Sequence, residues 1–365
     1  MRPLGQTVAR LSAMRRNSIE SMRLVDGAGR LAALTDFGAN PGNLDAFYHA
    51  PEGLPPGAPL VVVLHGCTQN AAMYDRGSGW SELADRHGFA LLFPQQSRAN
   101  NPNLCFNWFS AADTRRARGE AASIARMVRH MVAKHDLDAA RVYINGLSAG
   151  GAMTAAMLAC YPEMFAGGAV IAGLPFAVAE GIPDALEAMR GQSLPSRAIL
   201  ADRISAAGPH DGPWPTLSVW HGTADFTVDN ANATAIVDQW RDRIGLAEAT
   251  AKVDQVDGHR RTSWRDAAGR VMVERYDVKG MGHGTPIAPG ATPSCGKAAP
   301  HMLDSGICST RQIASSWGLT ERQAARPATV PSIEPVSATR EPPAPPPRGI
   351  AGVIDDALRA AGLMR

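Results

Sequence analysis

Three short stretches carry side chains that together could run acyl transfer. They are Gly146-Leu147-Ser148-Ala149-Gly150, the segment Trp220-His221-Gly222-Thr223-Ala224-Asp225, and Gly280-Met281-Gly282-His283-Gly284. A serine hydroxyl is a weak nucleophile until a histidine accepts its proton, and that histidine needs a carboxylate to fix its tautomer and stabilise the imidazolium. Ser148 is the expected nucleophile, Asp225 the acid and His283 the base. Asp229 is the rival acid, but it lies further from the preceding strand and reads as a helix N-cap before "NANATAIV". His283 stands between glycines in a loop, where a core-packing histidine would be out of place; His221 and His259 are less well situated.

Ser148 sits where the β-branched run "RVYIN" ends and the alanine-rich run "GAMTAAMLACY" begins. Glycines two positions to either side suit a sharp strand-to-helix turn in which serine takes strained backbone angles and the two elements approach closely. An oxyanion formed there needs backbone N–H donors already aimed at it, and loss of one donor typically costs on the order of 10²–10³ in rate. One expected donor is Ala149, directly after the nucleophile. The second is Cys67, in the loop after the strand in "VVVLHGCTQN", with Gly66 permitting the turn.

These loops need a frame. From about residue 58 the chain alternates strand and helix: "PLVVVLHG", "GWSELADRHG", "FALLFPQQ", then the helix "RRARGEAASIARMVRHMVAKH", with Ile124, Met127, Val128, Met131 and Val132 at three- and four-residue spacing. "RVYIN" and its helix follow, then "AGGAVIAGLPF", "TLSVWHG", the helix "ANATAIVDQWRDRIG" and the strand "VMVERYDV". Near-continuous Val, Ile and Leu runs indicate strands covered on both faces, so the expected fold is α/β, a doubly wound, mostly parallel sheet with helices on both faces. Ligand crevices in such sheets form at the C-terminal strand ends, where Asp225 and His283 fall. The segment "GRLAALTDFGANPGNLDAFYHAPEG" is expected to add one or two antiparallel strands at an edge. The domain reading is an N-terminal arm and edge segment (1–39), a catalytic domain (40–325), a proline-rich extended linker (326–348) and a short amphipathic helix (349–365). That helix is expected to dock on its own domain, with an oligomer or granule contact as the alternative.

The 365 residues are 45% hydrophobic and 19% charged, an ordinary globular composition. A formal charge of +2 asks for neither nucleic acid nor an anionic membrane, so a small or oligomeric neutral ligand is expected. No apolar run approaches the roughly 18 residues of a membrane span, and the N-terminus lacks a continuous apolar core of a secretory signal. A cytoplasmic location is expected on that ground. Five cysteines leave at least one thiol free. Cys160, mid-helix among alanines, reads as a buried inert thiol. Cys67 and Cys105 lie just beyond expected strand ends, and Cys295 and Cys308 flank a loop, which leaves room for two disulfides; these would sit oddly with the cytoplasm and keep an extracellular location as the alternative. None has the spacing of a structural zinc site, and no metal or cofactor is expected.

The order serine, acid, histidine is that of α/β-hydrolases. Beyond it, "NPGNLDAFYHAPEG", "LVVVLHGCTQNAAMYDRGSGWSELADRHGFALLFPQQ", "NPNLCFNWF", "GLSAGGAMT" and "YPEMFAGGAVIAGLPF" together resemble the polyhydroxybutyrate depolymerase family of esterases, which is similar in turn to feruloyl and acetylxylan esterases. The likeness spans about Asn40 to Leu319. It implies an α/β-hydrolase fold, Ser148 as nucleophile, Asp225 as acid and His283 as base. It also implies a Cys67–Cys105 bridge holding the oxyanion loop against "FNWF", which brings Trp108 near the pocket mouth. Extracellular members resemble modular proteins with a signal peptide and a polymer-adsorbing C-terminal domain, neither of which is visible in this chain. The expected activity is therefore hydrolysis of short hydroxyalkanoate esters through an acyl-enzyme rather than attack on crystalline polymer. A feruloyl or acetylxylan esterase is the first alternative, and a non-catalytic binding protein on the same fold the remote one, with the complete triad in chain order arguing against it.

Overall fold

The computed structural model describes residues 29–320. The proline-rich linker, the C-terminal helix and most of the N-terminal arm lie outside them. Ten strands form one sheet: β1 (Ala32–Ala33), β2 (Asp45–His49), β3 (Leu60–Leu64), β4 (Ala90–Gln95), β5 (Val142–Leu147), β6 (Gly167–Ile171), β7 (Thr216–Gly222), β8 (Lys252–Val256), β9 (His259–Arg265) and β10 (Val271–Val278). Their order is β1-β2-β4-β3-β5-β6-β7-β10-β9-β8. From β4 to β10 the pairings are parallel, while β1 and β2 at one edge and β9 and β8 at the other are antiparallel. The pair β11 (Thr285–Ile287) and β12 (Met302–Asp304) stands apart.

Every residue of β3 is buried, because both faces are covered. Leu60, Val62 and Leu64 face the cluster that includes helices α3 (Gly119–Lys134), α4 (Ala149–Cys160) and α7 (Ala231–Arg243). Val61 and Val63 face the opposite cluster, with α1 (Ala71–Ser78), α2 (Trp80–His87) and α8 (Ser309–Ser316). Two further helices, α5 (Ile182–Met189) and α6 (Arg197–Ser205), lie between β6 and β7 in the chain. All twelve residues of α4 are buried, so its lack of a polar stripe is what its position demands.

Two features depart from the sequence-based expectation. The long helix begins at Gly119, not among the arginines before it. Arg116 donates to the Cys160 carbonyl and to Glu163, and the Ala117 N–H donates to the Tyr161 hydroxyl, so tertiary bonds hold this segment as a turn, with Ala117 at φ 63°. The β8–β9 hairpin was not expected, since "KVDQV" and "HRRTSWR" carry too many polar residues for a strand covered on both faces. They need not be covered, because they end the sheet. Asp257 and Gly258, at φ 50° and 81°, make its two-residue turn, a pairing that marks a hairpin in sequence. A second turn over 266–270, exposed apart from Asp266, returns β9 to β10, with Asp266 accepting from the Ala268 and Arg270 N–H groups.

One close contact in the core is glycine on backbone. A Cβ at Gly150 would lie 2.5 Å from the carbonyl oxygens of both Leu64 and His65. Carbonyls at the end of a fully buried strand do not swing aside. Gly150→Ala is expected to cost about 1–3 kcal/mol or more in urea unfolding. Gly290→Ala, where a Cβ meets nothing within 4 Å and φ is not positive, should change stability little.

Candidate active site

Ser148 links β5 to α4 at φ 55°, ψ −116°, backbone angles costing of order 1–3 kcal/mol that persist only when the surroundings impose them. Here they do. The Ser148 N–H donates to the Ile171 carbonyl at 2.8 Å, and Gly146 and Gly150 admit the helix start against β3 and β5. The hydroxyl is thereby turned away from the core and left partly accessible.

Asp225 and His283 arrive on neighbouring loops, after β7 and β10. These loops are laced together: Thr223 N–H donates to the Val278 carbonyl, Ala224 N–H to the Met281 carbonyl, and Gly280 N–H to the Thr223 hydroxyl. Gly222 permits the approach, since a Cβ there would collide with the Met281 and Gly282 carbonyls. The result is a continuous chain of contacts. His283 Nδ1 lies 2.7 Å from Asp225 Oδ2, and His283 Nε2 lies 2.9 Å from Ser148 Oγ. With a carboxylate as partner, Nδ1 must carry the proton and donate, which leaves Nε2 to accept from the serine hydroxyl.

Burial of Asp225 works to push its carboxyl pKa up, but the hydrogen bond and charge of His283 and the N–H groups of Val228 and Thr227 outweigh it and hold the group below its ordinary value. A charged carboxylate at a fully buried side chain is therefore sustained. Asp229 takes another role: its Oδ1 accepts from the Ala231 N–H at the start of α7. His221 is buried 3.6 Å from Asp225, where desolvation lowers its pKa against the influence of the Val228 carbonyl and Asp225. It is spoken for by the Val228 carbonyl, and His259 by the Ser305 carbonyl and the Lys279 N–H.

The Cys67 and Ala149 N–H groups have no acceptor among the described residues, as donors reserved for a ligand oxygen would. Gly66 is not in a positive-φ conformation; the left-handed residue of this loop is Thr68, at φ 63°. What Gly66 provides is closeness, because a Cβ would lie 3.2 Å from both the Leu147 side chain and Gln69 Oε1. Cys67 is bonded to Cys105, and Cys295 to Cys308. Trp108 is only 7% exposed and belongs to a buried cluster with Ala149, Ala152, Leu174 and Val228, against which Cys67 and Cys105 pack. Cys160 is buried, its thiol donating to the Thr114 carbonyl and pushed up to about 12 by burial. No group of three or more His, Cys, Asp or Glu among the described residues could hold a metal ion, and no described helix is long and apolar enough to cross a membrane.

Sequence reasoning passed over Glu120. Its side chain is fully buried at the start of α3, where Oε1 accepts from Gln96 Nε2 and Asn107 Nδ2 and Oε2 from the Asn107 N–H. A glutamate in a first helical turn, here directly after the arginine-rich segment 115–118, reads as a surface partner of the helix dipole, so its local sequence gave no signal of burial. Burial pushes this carboxyl up to about 8 against the opposing amide donors. An acid held protonated in the fold but ionised when unfolded loses stability as pH rises between the two values, here from about 4.5 to about 8. The stability advantage of wild type over Glu120→Gln should therefore shrink across that window, by up to about 1.4 kcal/mol per pH unit. Urea unfolding of both proteins at several pH values measures it.

Comparison with known proteins puts these features in context. Residues 45–263 match the family model described as esterase PHB depolymerase. The chain is 43% identical over 291 residues to the poly(3-hydroxyalkanoate) depolymerase C of Paucimonas lemoignei, covering 79% of this chain and 70% of that protein. It is 30% identical over 268 residues to the feruloyl esterase B of Talaromyces stipitatus, covering 71% and 73% respectively. Among solved structures, an acetyl xylan esterase from Aspergillus awamori superposes with a TM-score of 0.67 at 24% identity over 80% of this chain and all of that one, which shows the shared α/β-hydrolase fold. The chain belongs to the esterase PHB depolymerase family and is an enzyme that hydrolyses carboxylic ester bonds.

Proposed function

We propose that the protein hydrolyses short-chain hydroxyalkanoate esters, of the poly- or oligo-3-hydroxybutyrate type, with Ser148 as nucleophile, His283 as general base and acid, and Asp225 as the carboxylate that orients it. The observation carrying this reading is the unbroken chain from Ser148 Oγ to His283 Nε2 at 2.9 Å and from His283 Nδ1 to Asp225 Oδ2 at 2.7 Å. Ser148 Oγ attacks the ester carbonyl carbon while its proton passes to Nε2. The oxyanion accepts from Cys67 and Ala149 N–H, donors fixed before the charge appears. Collapse breaks the bond to the alcohol oxygen, which takes the proton from His283. Water then attacks the acyl-enzyme with His283 again as base, and collapse releases the acid and restores Ser148.

The hydroxyalkanoate substrate is favoured by the 43% identity to a protein named as a depolymerase of that polymer. The second reading, a feruloyl or acetylxylan ester, is supported by relatives at 30% and 31% identity. A panel of p-nitrophenyl esters, hydroxybutyrate oligomers and methyl ferulate separates them: higher kcat/KM on the oligomers is expected, and preference for methyl ferulate would reverse the choice.

Ser148→Ala removes the nucleophile and adds no bulk, so ester hydrolysis should vanish while circular dichroism is unchanged; a tenth of wild-type activity remaining would refute the assignment. Asp225→Asn should lower kcat by on the order of 10⁴, as a neutral amide favours the wrong imidazole tautomer. Asp229→Asn should change kcat little.

A further inference from the structure

The two carboxylate oxygens of Asp225 are employed differently. Oδ1 accepts from the Thr227 N–H at 2.8 Å and the Val228 N–H at 2.9 Å, which closes a short turn and leaves Oδ2 to His283. The shape of that turn therefore decides where Oδ2 points. Phe226 and Thr227 at its tip are exposed, Phe226 by 98%, so neither side chain ties the turn to the core. The tie is at Val228, whose side chain is buried and whose carbonyl accepts from His221 Nε2 at 2.8 Å.

His221 belongs to β7, the strand that the turn leaves, and has no exposed surface. A carbonyl only accepts, so Nε2 carries the hydrogen; Nδ1 is buried with no partner among the described residues. Burial lowers the pKa of His221 against the opposing influence of the Val228 carbonyl and Asp225, which keeps the ring neutral. The charged groups that act on it are Asp225, His283 and Arg275, and Arg275 is already paired with Asp277. Nε2 also lies 3.6 Å from Asp225 Oδ2, so two imidazoles flank the oxygen that serves the base. Distance decides between them: 2.7 Å to His283 is a hydrogen bond, and 3.6 Å to His221 is not. An apolar residue would fill the place of His221 without the cost of an unsatisfied Nδ1. What the histidine adds is the N–H.

We infer that His221 is a positioning residue for the catalytic acid, its Nε2–H holding the Val228 carbonyl so that the turn from Asp225 to Val228 presents Oδ2 to His283. The inference rests on the serine-esterase reading above.

The test is His221→Phe, which keeps a ring in the buried place and removes both nitrogens. Active serines are counted by end-point labelling with a fluorophosphonate, and kcat and KM for p-nitrophenyl butyrate are measured per labelled serine over a range of pH. A displaced acid should lower kcat per serine on the order of 10²-fold and leave KM within about threefold. It should also move the acid limb of kcat/KM to lower pH, because an imidazolium that has lost part of its carboxylate partner gives up its proton more readily. In an Asp225→Asn background the same substitution should add little, since the group it positions is already gone. His221→Gln, whose amide reaches toward the Val228 carbonyl, should recover most of kcat, while His221→Asn, one carbon shorter, should not. That pair carries the test by itself if the phenylalanine variant does not fold, and equal kcat per serine in the two overturns the inference. So does an undiminished kcat per serine in His221→Phe, or an unshifted acid limb with losses that multiply in the double variant, as a purely structural histidine would give. Failure of the fluorophosphonate to label Ser148 in wild type would instead overturn the serine-esterase reading.

Discussion

The contact of Gly150 with the Leu64 and His65 carbonyls governs the arrangement of the whole site. It sets the distance between the start of α4 and the end of β3, and so between Ser148 with its following N–H and the loop that carries Cys67. Ser148 and the Cys67 and Ala149 N–H groups, the proposed nucleophile and oxyanion donors, are tied to that single separation. A methyl group there would push apart two elements that chemistry requires to be within reach of one carbonyl oxygen. Gly222 does the equivalent for the acid and histidine loops, where backbone again touches backbone. The site is thus built by removing side chains at two crossings, which lets four strand ends converge.

Charge is rationed around it. Asp225 is ionised and compensated by His283 and two backbone N–H groups, while His221, 3.6 Å away, is pushed toward its neutral form by burial. His65 behind the oxyanion loop is neutral for the same reason, and burial favours the neutral form of Glu120 as well. A permanently charged neighbour would compete with His283 for Asp225 or change the cost of forming the oxyanion. Burial of neutral, hydrogen-bonded groups supplies rigidity without an additional field.

Much of this was legible in the sequence because the central strands and the α4 helix leave strong local signatures: unbroken β-branched runs, and a serine among glycines at a strand-to-helix junction. Chain order and strand ends singled out Asp225 and His283, the proposed acid and base, which the structure brings into one chain of contacts with Ser148. What stayed hidden depends on contacts distant in sequence. The start of α3 is set by Arg116 and Ala117 bonding to residues at the end of α4 and just past it, and no local propensity encodes that. Glu120 looks like a surface acid until Gln96 and Asn107 surround it. The polar β8 and β9 strands were missed because patterning for a buried strand was applied to an edge.

The arrangement of strands also separates the molecule into a working rim and a free one. The oxyanion loop, Ser148, Asp225 and His283 follow β3, β5, β7 and β10, all leaving the same side of a parallel sheet. The turn over 266–270 feeds the opposite end of β10, eight residues and about 26 Å of strand away from the catalytic side. Its tip is exposed and it hydrogen-bonds chiefly within itself. That makes it the natural attachment point for a peptide tag, a surface anchor or an inserted module, since cargo there would extend from the back of the enzyme and leave substrate entry unobstructed.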